Sequence, residues 1–362
     1  MHKKFIIAGG GTGGHIFPAI AIANALKKQL PDAEFLFVGA KGKMEMEKVP
    51  QAGFKIEGLD IAGYNRSSLI KNIGLPYQLL KSFFQVRKII NRFKPDAVIG
   101  VGGYSSFPVL RTAQARAIST FIHESNAFAG KTNIMLGKKA TKIFVATGGM
   151  EKFFSIGKIV ITGNPVRNAI TGMKAGRTEA LRFFSMSTEK TTILSMGGSL
   201  GANSINEAVA AGLEKISTSN LQLIWQTGRS FAGRENLDTN GKSNVWVKEF
   251  INEMEMAYAA ADIVISRAGA MSVAELCVAG KPTVFVPYPF AAEDHQTFNA
   301  KALVAKDAAM LIKDTDTKTM LIDAVIALAK NEGLKKKLAE NISKEAIRNA
   351  DELIAAEIIK CM

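Results

Sequence analysis

Twice in 362 residues, a short apolar run empties into a glycine cluster and then into an apolar helical stretch. The first instance is Lys4-Phe5-Ile6-Ile7-Ala8, then Gly9-Gly10-Gly11-Thr12-Gly13-Gly14, then Ile16–Leu30. The second is Thr191–Met196, then Gly197-Gly198-Ser199-Leu200-Gly201, then Ala202–Ile216. A strand that turns through glycines into a helix opens a parallel, doubly wound sheet. The glycines let backbone approach a ligand. The helix start behind them offers N–H groups and partial positive charge to an anion. Two openings predict an α/β chain of two Rossmann-like halves facing a cleft, with ligands at the carboxyl ends of the strands.

The rest of the pattern agrees. After the first opening, strands are expected at Glu34–Gly39, Ala97–Val101, Thr120–His123 and Lys142–Ala146, with helices over Lys43–Ala52 and Leu75–Phe93. In the second half, strands fit Leu221–Gln226, Val245–Lys248, Ile263–Ser266 and Thr283–Val286. Helices fit Met254–Ala260, Met271–Gly280, Asp294–Lys306, Thr317–Lys330 and a long segment Gly333–Met362. Gly163-Asn164-Pro165-Val166-Arg167 punctuates the chain between them. The expected domains are residues 1–166 and 167–340, with a last helix over about 341–362 packing back on the first.

The first loop matches the dinucleotide fingerprint in form, Gly9-x-Gly11-x-x-Gly14. The acid that such a site needs at the end of its second strand is absent from Phe37-Val38-Gly39-Ala40, which argues against a nicotinamide enzyme. A third glycine run, Gly100 to Ser106 with Gly102, Gly103 and Tyr104, follows another first-half strand and enlarges the first site. Such loops serve as phosphate sites or as plain strand-to-helix turns; three in one chain favour ligands.

Charge separates the halves. Residues 1–166 hold 23 Lys/Arg against 9 Asp/Glu, whereas residues 167–362 hold 23 of each, so the first half carries the whole net charge of +14. A basic half suits an anionic partner such as a membrane surface or nucleic acid, or serves solubility alone. With five Tyr and two Trp, and no nucleic-acid motif, few stacking platforms exist for a nucleic acid. The two cysteines, Cys277 and Cys361, form no disulfide framework, as in a reducing compartment. The N-terminus does not read as a signal peptide, and no apolar run reaches the roughly 18 residues of a membrane span. The segment from Leu69 to Lys94 holds six Lys/Arg and no acid among large apolar residues. That is the composition of an interfacial helix on anionic lipid, with Lys81, Phe83, Phe84, Arg87 and Lys88 as contacts, or of a core helix with a solvated basic face.

Five spaced motifs carry a resemblance that covers the whole chain in order: Gly10-Gly11-Thr12-Gly13-Gly14-His15-Ile16-Phe17-Pro18-Ala19, His123-Glu124-Ser125-Asn126, Gly163 to Arg167, Gly197 to Ala202, and Ser266-Arg267-Ala268-Gly269-Ala270 leading to Glu275, with Gln296 and Asn299 beyond. Together they resemble the MurG-type N-acetylglucosaminyltransferases of peptidoglycan synthesis. The resemblance implies the GT-B fold. It also implies an inverting transfer of GlcNAc from UDP-GlcNAc to the 4-hydroxyl of MurNAc-pentapeptide on undecaprenyl diphosphate, turning lipid I into lipid II. A UDP-GlcNAc 2-epimerase, with the same fold and donor, is the alternative.

The family takes its donor in the C-terminal domain and its lipid acceptor in the N-terminal one. Carried over by position, Ser199 and its neighbours hold the diphosphate, Arg167 contacts the donor and Ile251 reads the uracil edge through its backbone. Ala270, Met271, Ser272, Val273 and Ala274 begin a helix near the phosphates, Glu275 accepts from the ribose, and Gln296 binds GlcNAc hydroxyls. Thr12, Gly13, Gly14 and Asn126 close over the sugar. Ser199 also suits a helix cap, Glu275 a first-turn acid and Gln296 a solvated face. Where the family often has two glutamines, this chain has His295-Gln296, so the role of His295 stays open. His15 is the leading base, or it orients the acceptor diphosphate; Glu124 is the alternative base. No metal or other cofactor is expected, the Asp314-Thr315-Asp316 pair being read as distant from the glycine motifs. The resemblance further implies a peripheral protein on the cytoplasmic face of the bacterial inner membrane, beside other cell-wall synthesis proteins, with no nucleic acid bound.

Overall fold

The computed structural model describes residues 2–63, 72–198, 200–231 and 244–362. The chain forms two units, Met1–Val166 with Asn349–Met362, and Arg167–Arg348.

Among the described residues, the first unit is built on seven parallel strands: β1 (Lys4–Ala8), β2 (Glu34–Ala40), β3 (Lys55–Leu59), β4 (Ala97–Gly100), β5 (Ser119–Glu124), β6 (Lys142–Val145) and β7 (Ile159–Ile161). Their order is β3-β2-β1-β4-β5-β6-β7. Side chains alternate across a strand. Phe5 and Ile7 therefore enter one core with Ile22, Leu26, Phe37 and Ile99, while Ile6 and Ala8 enter the other with Val38, Val98 and Ile122. Both faces are covered, which is why β1 reads as an unbroken apolar run.

The second unit repeats the plan with β8 (Thr191–Met196), β9 (Leu221–Gln226), β10 (Val245–Lys248), β11 (Ile263–Ser266), β12 (Thr283–Phe285) and β13 (Met310–Leu311). The order is β10-β9-β8-β11-β12-β13, again all parallel. In each sheet the order reverses beside the opening strand, between β1 and β4 and between β8 and β11. A parallel sheet opens a ligand crevice at such a point. The glycine runs lie there.

The structure adds and corrects elements. The sequence reading lacks β3, whose Lys-Ile-Glu-Gly-Leu is too polar for a buried-strand pattern, and the short β7 and β13. The helix expected over Ala202–Ile216 breaks at Gly212 into Asn203–Ala211 and Leu213–Thr218. The long helix expected over Gly333–Met362 is two. Glu332–Lys344 stays with the second unit, and Ala350–Lys360 belongs to the first. The returning segment therefore starts at Asn349, not at 341. Asn349 followed by Asp351 and Glu352 is the composition of a fresh helix start. Ile354, Ala355 and Ile358 are fully buried in the first-unit core, against the helix Gly13–Gln29.

Candidate functional site

In the second unit a cavity of about 610 Å³ opens at the β8/β11 switch point. That is the size of a small-ligand pocket. Gly197, Gly198 and Leu200–Ser204 form one wall; Gly269, Ser272, Gln296 and the exposed rings of Tyr288 and Phe290 form the other. Ser199 lies outside the described residues. The turn depends on glycine at two contacts. Gly201 and Gly228 both have positive φ and are packed so that a Cβ on either would collide with the other loop. Gln226, at the carboxyl end of β9, joins two expected pieces. Its amide donates to the Gly198 carbonyl (3.1 Å) and accepts from the Ile251 N–H (3.0 Å).

Ala270–Ala274 form the half-buried first turn of the helix Ala270–Ala279, and Ser272 faces the cavity. Glu275, one turn on, is buried. Its carboxylate accepts from Arg167 Nε at 2.8 Å and from the Tyr258 hydroxyl at 3.0 Å. Arg167 and Glu275, both expected near the donor, thus hold each other here. Burial opposes the Arg167 charge, but the bond and charge of Glu275 outweigh it and raise its pKa. Burial, then the Glu275 charge, push the Tyr258 hydroxyl well above its usual range. Gln296 accepts from the Tyr288 N–H at 2.9 Å, which turns its amide NH₂ outward from that bond. The His295 Nδ1 donates to the Ala292 carbonyl at 2.7 Å.

Asp314 corrects the sequence reading. It is not distant from the glycine motifs but lines the same cavity. There its carboxylate takes Arg267 Nη1 and the Ser204 hydroxyl, each at 2.5 Å. Arg267 also donates to the Val286 and Pro287 carbonyls. This network ties the loop after β11 to the loop after β12. Among the described residues, no three His, Cys, Asp or Glu side chains gather as metal ligands.

In the first unit, Thr12, Gly13, Gly14 and His15 start the helix Gly13–Gln29, with Thr12 at its N-cap. The His15 Nδ1 lies 3.1 Å from the Gly10 carbonyl, which can only accept, so Nδ1 carries the proton. Gly102 and Gly103 pack behind this point. A Cβ on Gly102 would press on the His15 ring, and one on Gly103 on the Gly10 carbonyl. The third glycine run therefore backs His15 directly. Tyr104 covers Gly11. Its hydroxyl is buried with no hydrogen-bond partner among the described residues, and burial, then the Glu45 charge, raise its pKa.

Glu124 does not present an open carboxylate. Its oxygens accept from the Asn126 N–H (3.0 Å) and side chain, the Gly130 N–H (3.1 Å) and Asn133 Nδ2 (2.8 Å). It shapes the loop that carries Asn126. His123 beside it is fully buried, with Nε2 donating to the Gly163 carbonyl at 3.3 Å. Burial, partly offset by that bond, lowers its pKa to about 4.

Sequence reasoning missed Glu45, Gln226 and Tyr258, and it gave Arg267, quoted within the 266–270 motif, no role of its own. Glu45, five residues beyond the end of β2, does not replace the missing dinucleotide acid; it turns inward and bonds the first glycine loop and the end of β2. Gln226 and Tyr258 carry no sequence signal, since a lone polar residue at a strand end or a ring on a helix reads as ordinary surface or core.

The helix Leu75–Phe93 exposes Tyr77, Leu80 and Phe84, and Ile73 just before it. Phe83 turns inward onto Phe107. Arg87, Arg111 and Arg116 rim an apolar groove of about 530 Å³ that also holds Leu80, Phe83 and Phe84. Lys88 is exposed, but Lys81 is paired with Asp60 at 3.0 Å. Residues 69–71 lie outside the described residues. Among the described residues no helix is long and apolar enough to cross a membrane.

Residues 5–145 match the glycosyltransferase family 28 N-terminal domain, and residues 192–357 match the glycosyltransferase family 28 C-terminal domain. The chain is 49% identical over 360 residues to the UDP-N-acetylglucosamine--N-acetylmuramyl-(pentapeptide) pyrophosphoryl-undecaprenol N-acetylglucosamine transferase of Phocaeicola vulgatus, spanning 99% of this chain and 96% of that one. It is 50% identical over 359 residues to the protein of the same name from Parabacteroides distasonis, with 99% and 98% covered. The crystal structure of Acinetobacter baumannii MurG superposes with a TM-score of 0.82 at 30% identity, covering 99% of both chains.

Proposed function

The chain belongs to glycosyltransferase family 28 and has the GT-B fold, and from that premise we propose that it transfers GlcNAc from UDP-GlcNAc to the 4-hydroxyl of MurNAc-pentapeptide on undecaprenyl diphosphate. One observation carries the reading: relatives named for this transfer share half of all positions across 99% of the chain. The site is consistent with it.

The second unit takes the donor. The diphosphate rests on the 197–202 loop, where backbone N–H groups and the helix behind them meet the charge that grows on departing UDP. Because the Ile251 N–H is committed to Gln226, its carbonyl is the group that receives the uracil N3–H. Glu275 accepts from the ribose, steadied by Tyr258, and the Gln296 amide donates to the sugar.

The first unit takes the lipid acceptor. His15, protonated on Nδ1, presents the Nε2 lone pair and removes the proton of the 4-hydroxyl. The new bond forms between that oxygen and C1 as the bond from C1 to the diphosphate oxygen breaks on the opposite face. The α linkage becomes β, UDP leaves, and the proton stays on Nε2. The exposed apolar residues and Arg87 and Lys88 rest on anionic lipid at the cytoplasmic face of the membrane.

The test is transfer of radiolabel from UDP-GlcNAc to lipid I, run beside free UDP-GlcNAc without acceptor. Label moving into lipid supports the reading; epimerised nucleotide sugar without transfer sinks it. In that assay His15→Ala lowers kcat at least about 100-fold, a usual general-base contribution. Activity within threefold of wild type would remove His15 from the role. Glu275→Ala raises the UDP-GlcNAc KM about tenfold, as expected for lost bonds to a charged acceptor.

A further inference from the structure

We propose that Glu45 is a positioning residue for the transfer: through the single peptide unit Gly10–Gly11 it fixes the His15 ring and the nitrogen on which that ring carries its proton. The proposal rests on the reading of His15 as the base.

Glu45 is almost wholly buried, 1% exposed, an unusual place for a carboxylate. Its Oε1 accepts from the Ala40 N–H at 3.0 Å, at the end of β2. Its Oε2 accepts from the Gly11 N–H at 2.9 Å. The carbonyl of that same peptide unit, on Gly10, accepts from His15 Nδ1 at 3.1 Å. Carboxylate, peptide and imidazole thus stand in one chain of hydrogen bonds. The chain has no slack. A Cβ on Gly10 or on Gly39 would collide with the Glu45 side chain, and Gly103 closes over the Gly10 carbonyl from the other side.

The physics resembles a carboxylate bonded directly to a catalytic histidine, with an amide between them. A charge accepting from an N–H polarises the peptide, and its carbonyl becomes a stronger acceptor. That holds the imidazole proton on Nδ1 and leaves the lone pair on Nε2, the form a base needs. No proton crosses the peptide: Glu45 acts only by accepting the Gly11 N–H. The buried negative charge also disfavours placing the acceptor diphosphate on this loop. The loop that looked like a phosphate cradle is better suited to aiming His15. The other groups at this point are the Tyr104 ring, the Thr12 hydroxyl 3.4 Å from Nδ1, and buried His123.

The experiment is nitrogen-15 NMR of the histidine rings in the full chain. There are four histidines, and His15→Ala assigns the signal. In wild type at a pH where the ring is neutral, His15 should be protonated on Nδ1. Glu45→Gln should move the population toward Nε2–H and lower kcat about tenfold, the scale of a lost outer partner, with the UDP-GlcNAc KM within twofold. Glu45→Asp, which keeps the charge, should recover part of both. A wild-type ring protonated on Nε2 overturns the proposal with no variant needed, as does an unchanged tautomer and kcat in Glu45→Gln. The base reading fails separately, through an active His15→Ala.

Discussion

At the scale of single residues, the first unit keeps charge out of sight. His123 is buried neutral, with its pKa lowered to about 4. An unfolded histidine titrates near 6.5. Between those values the unfolded chain binds the extra proton. Stability is therefore fully present above about pH 6.5 and is lost as pH falls toward 4. Lowering the pH from 7 to 5 should cost about 2 kcal/mol through this residue. The check is the difference between wild type and His123→Gln in urea midpoint at both pH values; equal losses in the two proteins would mean that His123 is not the cause. Glu293 and Asp294 show the opposite economy. Both sit at positive φ immediately before His295 and Gln296. Such backbone strain gathers where side chains must be aimed, here at the amide expected to meet the sugar.

At the scale of elements, the helix Ala350–Lys360 completes the first-unit core, with Ile354 wholly buried and Lys28 bonded to Glu352 at 2.9 Å. Ile354→Ala should cost about 3 kcal/mol, within the range for a core cavity. Hydrogen exchange should place that loss in the first unit, with UDP binding to the second unchanged within twofold. Protection lost equally in both units would refute the assignment.

What the sequence made legible follows the same division. β1 and β8 are apolar throughout because both faces are covered, so the openings stood out. β3 sits at a sheet edge, and its Glu57 carries no alternation to betray a strand. The candidate site was legible where a backbone need forces glycine. It was not legible where a lone acid such as Glu45 folds back across 34 residues to reach Gly11, because partners that distant leave no local pattern.

At the scale of the whole molecule, part of the +14 net charge lies on the helix Leu75–Phe93. Beside the exposed Tyr77, Leu80 and Phe84 stand Arg87 and Lys88, while Lys81 spends its charge on Asp60. Asp60 is itself held at about 2, with the Lys41 and Lys81 bonds as its leading causes. Each cation near anionic lipid contributes about 1 kcal/mol. Binding to phosphatidylglycerol vesicles should weaken about fivefold in Lys88→Gln and far less in Lys81→Gln. The reverse order would refute this face as the docking surface. Added salt should weaken binding in wild type.

The return of residues 349–362 to the first unit also orders events at birth. A ribosome makes the chain from its N-terminus, and domains tend to fold as they emerge. This first unit cannot complete its core early. It waits with an open apolar flank until the second unit has been made and Ile354, Ala355 and Ile358 arrive. The first unit is therefore finished last, although it is translated first. A chain broken off before residue 349 lacks the three residues that complete the first-unit core, while the second unit, Arg167–Arg348, is whole.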